Sequence, residues 1–264
     1  MIVRMIDNFA SIDISSLESL QRALQHVNTI FDGVLPSWRG HSNIDWTLQA
    51  EVFRRPYNEV TLIRSFMAHA ESRKQNCPDS KDHVGWLILA RHYGLPTRLL
   101  DWTMSPLVAL FFASQNDETD GCLWVLDPGR MNQQMIGIQQ RRLYAMDEAV
   151  VADLADLAFE PNPTRLKEQT ALVAGRAIAT GTRELDARVL VQQGMFTIHA
   201  DQTDLATVGY GDPPHPSWRV AFRVPKHHKP QIRELLRHLA ITKISLFPDL
   251  AALAEELKER SFLA

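Results

Sequence analysis

The sequence contains few cysteines, no marked excess of either charge and no long apolar run. Cys77 and Cys122 are the two cysteines among 264 residues, too few for a disulfide framework, and they suit a reducing compartment. Lys and Arg number 28 and Asp and Glu 31, so no general basic field favours nucleic acid. Arg4, Asp7 and Asp13 interrupt the first apolar residues, which excludes a secretion signal there. We therefore expect a cytoplasmic protein without a membrane or nucleic-acid partner.

The motifs by which common enzymes are recognised are also missing. No GxGxxG, GxxxxGK[ST], GxSxG, HExxH or calcium-loop pattern occurs, which excludes the usual phosphate loops, nucleophile elbows and metal sites. His227 and His228 are adjacent, whereas histidine ligands on one face of a metal site are about three to five residues apart. We therefore predict no metal site.

The residues that are present predict one folded domain spanning 1–264. Hydrophobic residues make up 45% and charged residues 22% of the chain, as in ordinary globular proteins. Helical patterns dominate 1–175 and strand patterns dominate 176–264, with no strand–helix–strand alternation, which favours an α+β fold with a mixed or antiparallel sheet core. Periodicity and caps predict helices over 17–26, 60–72, 81–93, 106–113 and most of 131–174, and two further helices that begin at 230 and at 248. Strands are predicted at 34–38, 99–100, 122–126, 189–191, 195–198, 218–224 and 243–246.

Two segments are rich in polar and aromatic residues. The first is Trp38-Arg39-Gly40-His41, followed by Trp46. An arginine at a strand end can offer a planar pair of donors to phosphate or carboxylate, and the adjacent glycine permits close approach of a ligand to the backbone. The alternative is an arginine that pairs with a structural carboxylate.

The second segment is 90–103, leading to Ser105 and an apolar helix. Free backbone N–H groups and helix dipoles collect where strand ends meet helix N-termini, so an anionic ligand is expected there. The alternative is a buried ion pair of Arg98 and Asp101, with Trp102 as a packing residue.

The motifs WRGH, HYGLPTRLLDWTMSPLVALFFA, VLVQQGMFTIH and LFPDL resemble the FRG-domain family, named after a Phe/Tyr-Arg-Gly motif near its start. The resemblance spans about 17–257, and Trp38 stands where the family usually has Phe or Tyr. It implies a relationship of fold and leaves the reaction open.

A more remote resemblance is to the arginine-containing ADP-ribosyltransferases, which hold NAD on an aromatic-Arg-Gly strand. Trp38-Arg39-Gly40 looks like that strand, 101–105 leading into 109–113 looks like the Ser-Thr-Ser strand and its helix, and 186–194 looks like the catalytic strand. The resemblance implies an ADP-ribosyltransferase-like fold that takes NAD as substrate or ligand, with Arg39 on the pyrophosphate and Thr103 and Ser105 on the ribose.

At the position of that class's catalytic glutamate this chain has Arg188, which would repel the positive charge that develops on the ribose. Glu184 and Asp186 are the nearby carboxylates that could substitute, and Asp186 is the better candidate because residues two apart on a strand share a face. The complete predicted site consists of Asp186, Asp101 and His92 for catalysis and of Arg39, Gly40, His41, Arg98, Thr103, Ser105 and Gln193 for binding, with Arg39, His92, Arg98, Thr103 and Gln193 converging on one cleft.

Three functional hypotheses follow. The first is a nucleotide-binding FRG protein with ADP-ribosyltransferase or other NAD-consuming activity in bacterial defence or stress. The second is a non-catalytic module that senses a ligand or binds a protein partner, which the missing glutamate favours. The third is a hydrolase or nuclease that uses His41, His92, Arg98 and Asp101, in which a His–Asp pair serves as general base.

Overall fold

A computed structural model describes residues 9–160, 176–182, 192, 194–208, 217–247 and 249–261. Its described residues form a six-stranded sheet in the order β4-β5-β2-β1-β3-β6, in which all neighbouring strands are antiparallel. The strands are β1 (Ser37–His41), β2 (Leu99–Thr103), β3 (Gly121–Leu126), β4 (Ala177–Thr180), β5 (Gly194–His199) and β6 (Arg219–Val224).

Nine α-helices occur in the described part of the chain, which confirms the predicted α+β class. They are α1 (Leu17–Ile30), α2 (Glu59–Ala70), α3 (His83–His92), α4 (Pro106–Ala113), α5 (Pro128–Ile136), α6 (Ala149–Asp156), α7 (Lys229–His238), α8 (Lys243–Leu246) and α9 (Leu250–Ser261). Within the same residues, no helix combines the length and the apolar character needed to cross a bilayer.

Apolar side chains divide the core into three clusters around the sheet. Helices α1, α4 and α7 pack with Trp38 and Phe222 over the β1-β3-β6 part. Helices α3 and α6 pack with Ile198 over the β4-β5-β2 part. Helix α5 packs with Trp102 and Trp124 in the third cluster. Helices α3 and α4 thus belong to different clusters, and the space between them lies where those two clusters meet.

Helix α4 crosses β1 at Gly40. A β-carbon built on Gly40 would lie 1.8 Å from the carbonyl oxygen of Ala109 and 2.6 Å from the nitrogen of Ala113. Only glycine fits this crossing, because any side chain would overlap the helix backbone. The structure thus shows a close approach of helix α4 at Gly40, whereas the close approach of a ligand there stays a prediction.

Several predicted elements differ from the structure. Residues 243–246 form helix α8 instead of a strand, because Thr242 and Ser245 form a reciprocal capping box. The predicted strand 34–38 begins at Ser37, so Arg39 lies at mid-strand. The sequence does not predict strand β4. Residues 131–174 were predicted to be mostly helical; of these the structure describes 131–160, in which α5 and α6 are the helices. The predicted strand 189–191 falls outside the described residues.

The predicted helical and strand-rich halves are interleaved in the sheet. Strands β1, β2 and β3 come from 1–175, and β4, β5 and β6 come from 176–264. The order β4-β5-β2-β1-β3-β6 places β2, β1 and β3 between β5 and β6. Residues from both parts of the chain therefore meet around β1 and β2.

Candidate functional site

A cavity of about 500 Å³ lies between α3 and α4, beside β1 and β2. Its volume is within the range of small-molecule sites, about 300–1,000 Å³. The lining residues come from both parts of the chain and are Trp38, Arg39, Gly40, His41, Ser42, Trp46, Glu51, Arg54, Ile88, Arg91, His92, Gly94, Asp101, Trp102, Thr103, Val108, Ala109, Phe112, Gln115, Gln192, Gly194, Met195 and Phe196.

The cavity opens where β1 and β2 stop pairing. These strands share one register pair, Trp38 with Thr103, whereas β1 pairs along its length with β3 and β2 pairs along its length with β5. The Arg39 guanidinium bridges the gap: its Nη1 donates to the main-chain oxygen of Asp101 at 2.6 Å, and its Nε donates to Nε2 of His41 at 2.9 Å. The Arg39 side chain thus connects β1 and β2 where backbone hydrogen bonds between these two strands are missing.

Helix α3 supplies a second arginine to the cavity. Arg91 donates from Nε and Nη2 to Oδ2 of Asp101 at 2.9 and 2.7 Å, and from Nη1 to Oε2 of Glu51 at 2.5 Å. Nη1 of Arg39 also lies 3.8 Å from Oδ2 of Asp101. Asp101 is therefore the carboxylate shared by two arginines.

A third arginine, Arg54, is solvent-exposed and donates from Nε to the carbonyl of Gln49 at 2.9 Å. Among the described residues, no ion pair involves Arg54, and no hydrogen bond uses Nη2 of Arg39. The charged lining thus comprises three arginines against the two carboxylates Glu51 and Asp101. This arrangement leaves guanidinium donors for an anion.

Electrostatics in the cavity follow from burial and from the crowding of arginines. Burial lowers the pKa of Arg39, Asp101 opposes that change, and the nearby cations Arg54 and Arg91 add to it. Burial raises the pKa of Asp101, but Arg91 and Arg39 outweigh burial and hold that pKa below its usual value. Asp101 is therefore ionised at neutral pH, while Arg39 remains a cation that burial disfavours.

His41 is a neutral hydrogen-bond acceptor. Burial, and then the charges of Arg39 and Arg54, lower its pKa well below the usual value, against an opposing backbone interaction with Trp46. Because Nε2 accepts from Nε of Arg39, the ring proton of neutral His41 lies on Nδ1. His41 thus orients the Arg39 guanidinium, and its Nε2 is already occupied.

Most of the predicted site residues that the structure describes line this cavity. They are Arg39, Gly40, His41, His92, Asp101 and Thr103. Arg98 and Ser105 do not line it. Asp186, Arg188 and Gln193 lie outside the described residues. Their predicted roles, including the place of Gln193 in the cleft, therefore stay predictions.

Arg98 serves a buried ion pair away from the cavity. Its Nη2 lies 2.5 Å from Oε2 of Glu59, and its backbone N–H donates to Oε1 of the same carboxylate at 3.0 Å. The alternative pairing of Arg98 with Asp101 is therefore wrong, because Glu59 takes Arg98 and Arg91 takes Asp101. Arg98 is also absent from the cavity lining, contrary to the prediction that it joins the cleft.

The hydroxyl groups of Thr103 and Ser105 already have partners. Thr103 Oγ1 donates to the carbonyl of Gln192 at 2.5 Å and accepts from the backbone N–H of Ser105 at 3.0 Å. The Ser105 hydroxyl accepts from the N–H of Val108 and caps helix α4. These contacts join β2 to α4 and to Gln192 beside the cavity.

Sequence reasoning did not single out Glu51, Arg54 or Arg91. Glu51 and Arg54 lie in and directly after a short 3-10 helix, and only the fold brings them to the cavity that Asp101 also lines. Arg91 was part of the predicted segment 90–103 but had no assigned role. In the described part of the chain, no group of three or more His, Cys, Asp or Glu side chains could hold a metal ion.

No curated protein and no solved structure matches the chain, so the ADP-ribosyltransferase resemblance stays a prediction. A family model does match part of it. The matched segment carries Arg39, Glu51, Arg54, Arg91 and Asp101, all the charged residues of the cavity described above. Residues 36–121 of this chain match the FRG domain.

Proposed function

We propose that the cavity binds a nucleotide, with a phosphate group held by Arg39 and Arg54. The observation that carries the proposal is the state of Arg39, a cation disfavoured by burial whose Nη2 makes no hydrogen bond to the described residues. A phosphate oxygen would accept from Nη2 and supply the missing negative charge. Guanidinium groups suit this role because their fork of donors matches phosphate geometry.

The carboxylates of the cavity favour a ligand that also carries hydroxyl groups. Asp101 uses Oδ2 for its arginine contacts, and Glu51 uses Oε2. Among the described residues, no side-chain donor bonds Oδ1 of Asp101 or Oε1 of Glu51. Ribose hydroxyls can donate to such oxygens. A nucleotide combines the phosphate and the ribose, and the ADP-ribosyltransferase resemblance makes NAD the first nucleotide to test.

The geometry supports binding more than it supports acid–base chemistry. Arg91 and Arg39 hold the pKa of Asp101 low, which weakens it as a base. His41 accepts from Arg39, so it is not oriented by a carboxylate as a His–Asp base would be. The hydrolase hypothesis therefore gains no support at His41. NAD cleavage rests on the resemblance alone and is tested separately.

The binding test compares NAD, ADP and inorganic pyrophosphate by thermal shift and calorimetry. A ligand at 100 times its Kd stabilises the folded state by about 2.7 kcal/mol. We expect Arg39→Gln to weaken binding at least about tenfold and Arg54→Gln to weaken it less, because Arg54 is exposed. Arg237→Gln is the matched control, since Arg237 is exposed and pairs with Glu234 on helix α7.

Calorimetry on Arg54→Gln keeps the test decisive if Arg39→Gln fails to fold. Within the part of the chain that the structure describes, the Arg54 side chain makes one hydrogen bond, to the carbonyl of Gln49. The proposal is overturned if the native chain binds none of the three ligands. It is also overturned if both cavity variants bind as tightly as the Arg237 control.

Turnover is measured on the same sample by chromatography of NAD after prolonged incubation. Nicotinamide release that Arg39→Gln abolishes would make the chain an NAD-consuming enzyme despite Arg188. Binding with unaltered NAD would support the sensing hypothesis.

A further inference from the structure

We infer that Trp46 forms the surface on which the flat base of the bound nucleotide stacks. This inference rests on the proposed function and adds a second subsite to it. Trp46 lines the cavity and is 47% exposed, whereas the other five tryptophans are each 3% exposed or less. A large aromatic ring left half-exposed on a cavity wall offers the apolar area that a planar base would cover.

The loop that carries Trp46 is fixed by hydrogen bonds of its backbone. The N–H of Ile44 donates to the carbonyl of Asp120 at 2.8 Å, and the N–H of Asp45 donates to Oδ1 of Asn43 at 2.9 Å. The Trp46 ring also packs edge-on against His41, with ring centroids 5.9 Å apart. A ring fixed in this way loses little conformational freedom when it binds a ligand.

Trp46 adjoins the phosphate end of the site through His41. One ring nitrogen of His41 accepts from Arg39, and the same imidazole contacts Trp46. The aromatic surface and the phosphate-binding guanidinium are thus separated by one side chain. The inference thus places the base on Trp46 and the phosphate on Arg39, with His41 between them.

Stacking on an aromatic ring tolerates different bases, because every base has a flat π-face. We therefore expect the site to prefer ligands with a base over ligands without one, and to discriminate weakly among bases. The test compares the affinities of ADP, ribose 5-phosphate and inorganic pyrophosphate.

The variants are Trp46→Leu, which removes the ring, and Trp46→Phe, which keeps a smaller one. We expect Trp46→Leu to weaken ADP binding about tenfold, a loss typical of a deleted stacking contact, and to leave pyrophosphate binding unchanged. Trp46→Phe should retain most of the ADP affinity. Tyr57→Leu is the control, because Tyr57 is 37% exposed and lies off the cavity lining.

The outcomes separate this inference from the proposed function. If Trp46→Leu binds ADP as the native chain does, or loses ADP and pyrophosphate equally, the stacking inference is wrong while anion binding stands. If the native chain binds neither ADP nor pyrophosphate, the proposed function fails and the inference fails with it.

Fluorescence gives an independent readout. Because the other tryptophans are buried, acrylamide should quench mainly Trp46. Saturating ADP should protect that emission, whereas pyrophosphate should not. Equal quenching with and without bound ADP would show that the base does not cover the ring.

Discussion

Nη1 of Arg39 donates a hydrogen bond to the main-chain oxygen of Asp101 at 2.6 Å, across the gap between β1 and β2. Oδ2 of the Asp101 carboxylate accepts hydrogen bonds from Arg91. One aspartate thus positions Arg39 with its backbone and neutralises the arginines with its side chain. These two roles can be separated by substitution.

Asp101→Asn should strengthen the binding of inorganic pyrophosphate while lowering the free energy of unfolding. The variant keeps the backbone carbonyl but removes a negative charge that competes with the ligand for the arginines, which predicts an affinity gain of about fivefold. The stability loss should be about 1–2 kcal/mol, less than for a fully buried pair, because the carboxylate is 43% exposed. Calorimetry and urea unfolding measure the two effects. Weaker pyrophosphate binding would show that the carboxylate mainly holds the arginines in place.

Gly40→Ala should be among the most destabilising single substitutions in the chain. The new methyl group would overlap the backbone carbonyl of Ala109 in helix α4, which cannot move away as a side chain could. We expect a loss of about 3 kcal/mol or more in urea unfolding. Gly137→Ala is the control: its φ is +69°, nothing lies within 4 Å of the added carbon, and the expected cost is about 1 kcal/mol. Equal costs at the two glycines would contradict the helix crossing.

Glu59→Gln should destabilise the fold without changing nucleotide affinity. Arg98 and Glu59 are 5% and 10% exposed, so removing one charge leaves the other buried and uncompensated, at a cost of about 3 kcal/mol. Neither residue lines the cavity. Glu234→Gln, at an exposed pair, should change the free energy of unfolding by less than about 0.5 kcal/mol. A large change in ADP affinity, measured where Glu59→Gln is still folded, would argue that Arg98 belongs to the binding site.

The free energy of unfolding should fall as the pH drops below about 6.5, partly because of His199. Burial, together with the charges of Arg98, Arg39 and Arg54, lowers the pKa of folded His199 to about 3. Between these two values the unfolded chain binds a proton that the folded chain does not, so each pH unit costs about 1.4 kcal/mol.

His199→Gln should flatten that pH dependence between pH 6.5 and 5 by about this amount, as measured by urea unfolding at several pH values. An unaltered slope in His199→Gln would mean that His199 becomes protonated in the folded state.

Local signals in the sequence predicted the class of the fold and most of its helices. Ser105 with Pro106 marks the start of α4, and the alternation in 218–224 marks β6, because caps and periodicity act over a few residues. The same kind of signal is present at α8, where Thr242 and Ser245 cap the helix, although 243–246 was predicted as a short strand.

The ion pairs of the site could not be predicted in this way. Arg98 lies three residues from Asp101 in sequence, yet its partner is Glu59 at the start of α2, 39 residues away. Asp101 is bound by Arg91 from α3 and reached by Arg39 from β1. Such choices depend on which helices pack above β2, and a single sequence contains no pairwise information about that packing.

The single register pair between β1 and β2 makes the sheet two ribbons joined at one point, β4-β5-β2 and β1-β3-β6. Bending at that joint would break few backbone hydrogen bonds, and side chains such as Arg39 and the crossing of α4 resist it. A ligand that contacts both Arg39 on β1 and Asp101 on β2 would link the two ribbons and would therefore oppose bending between them.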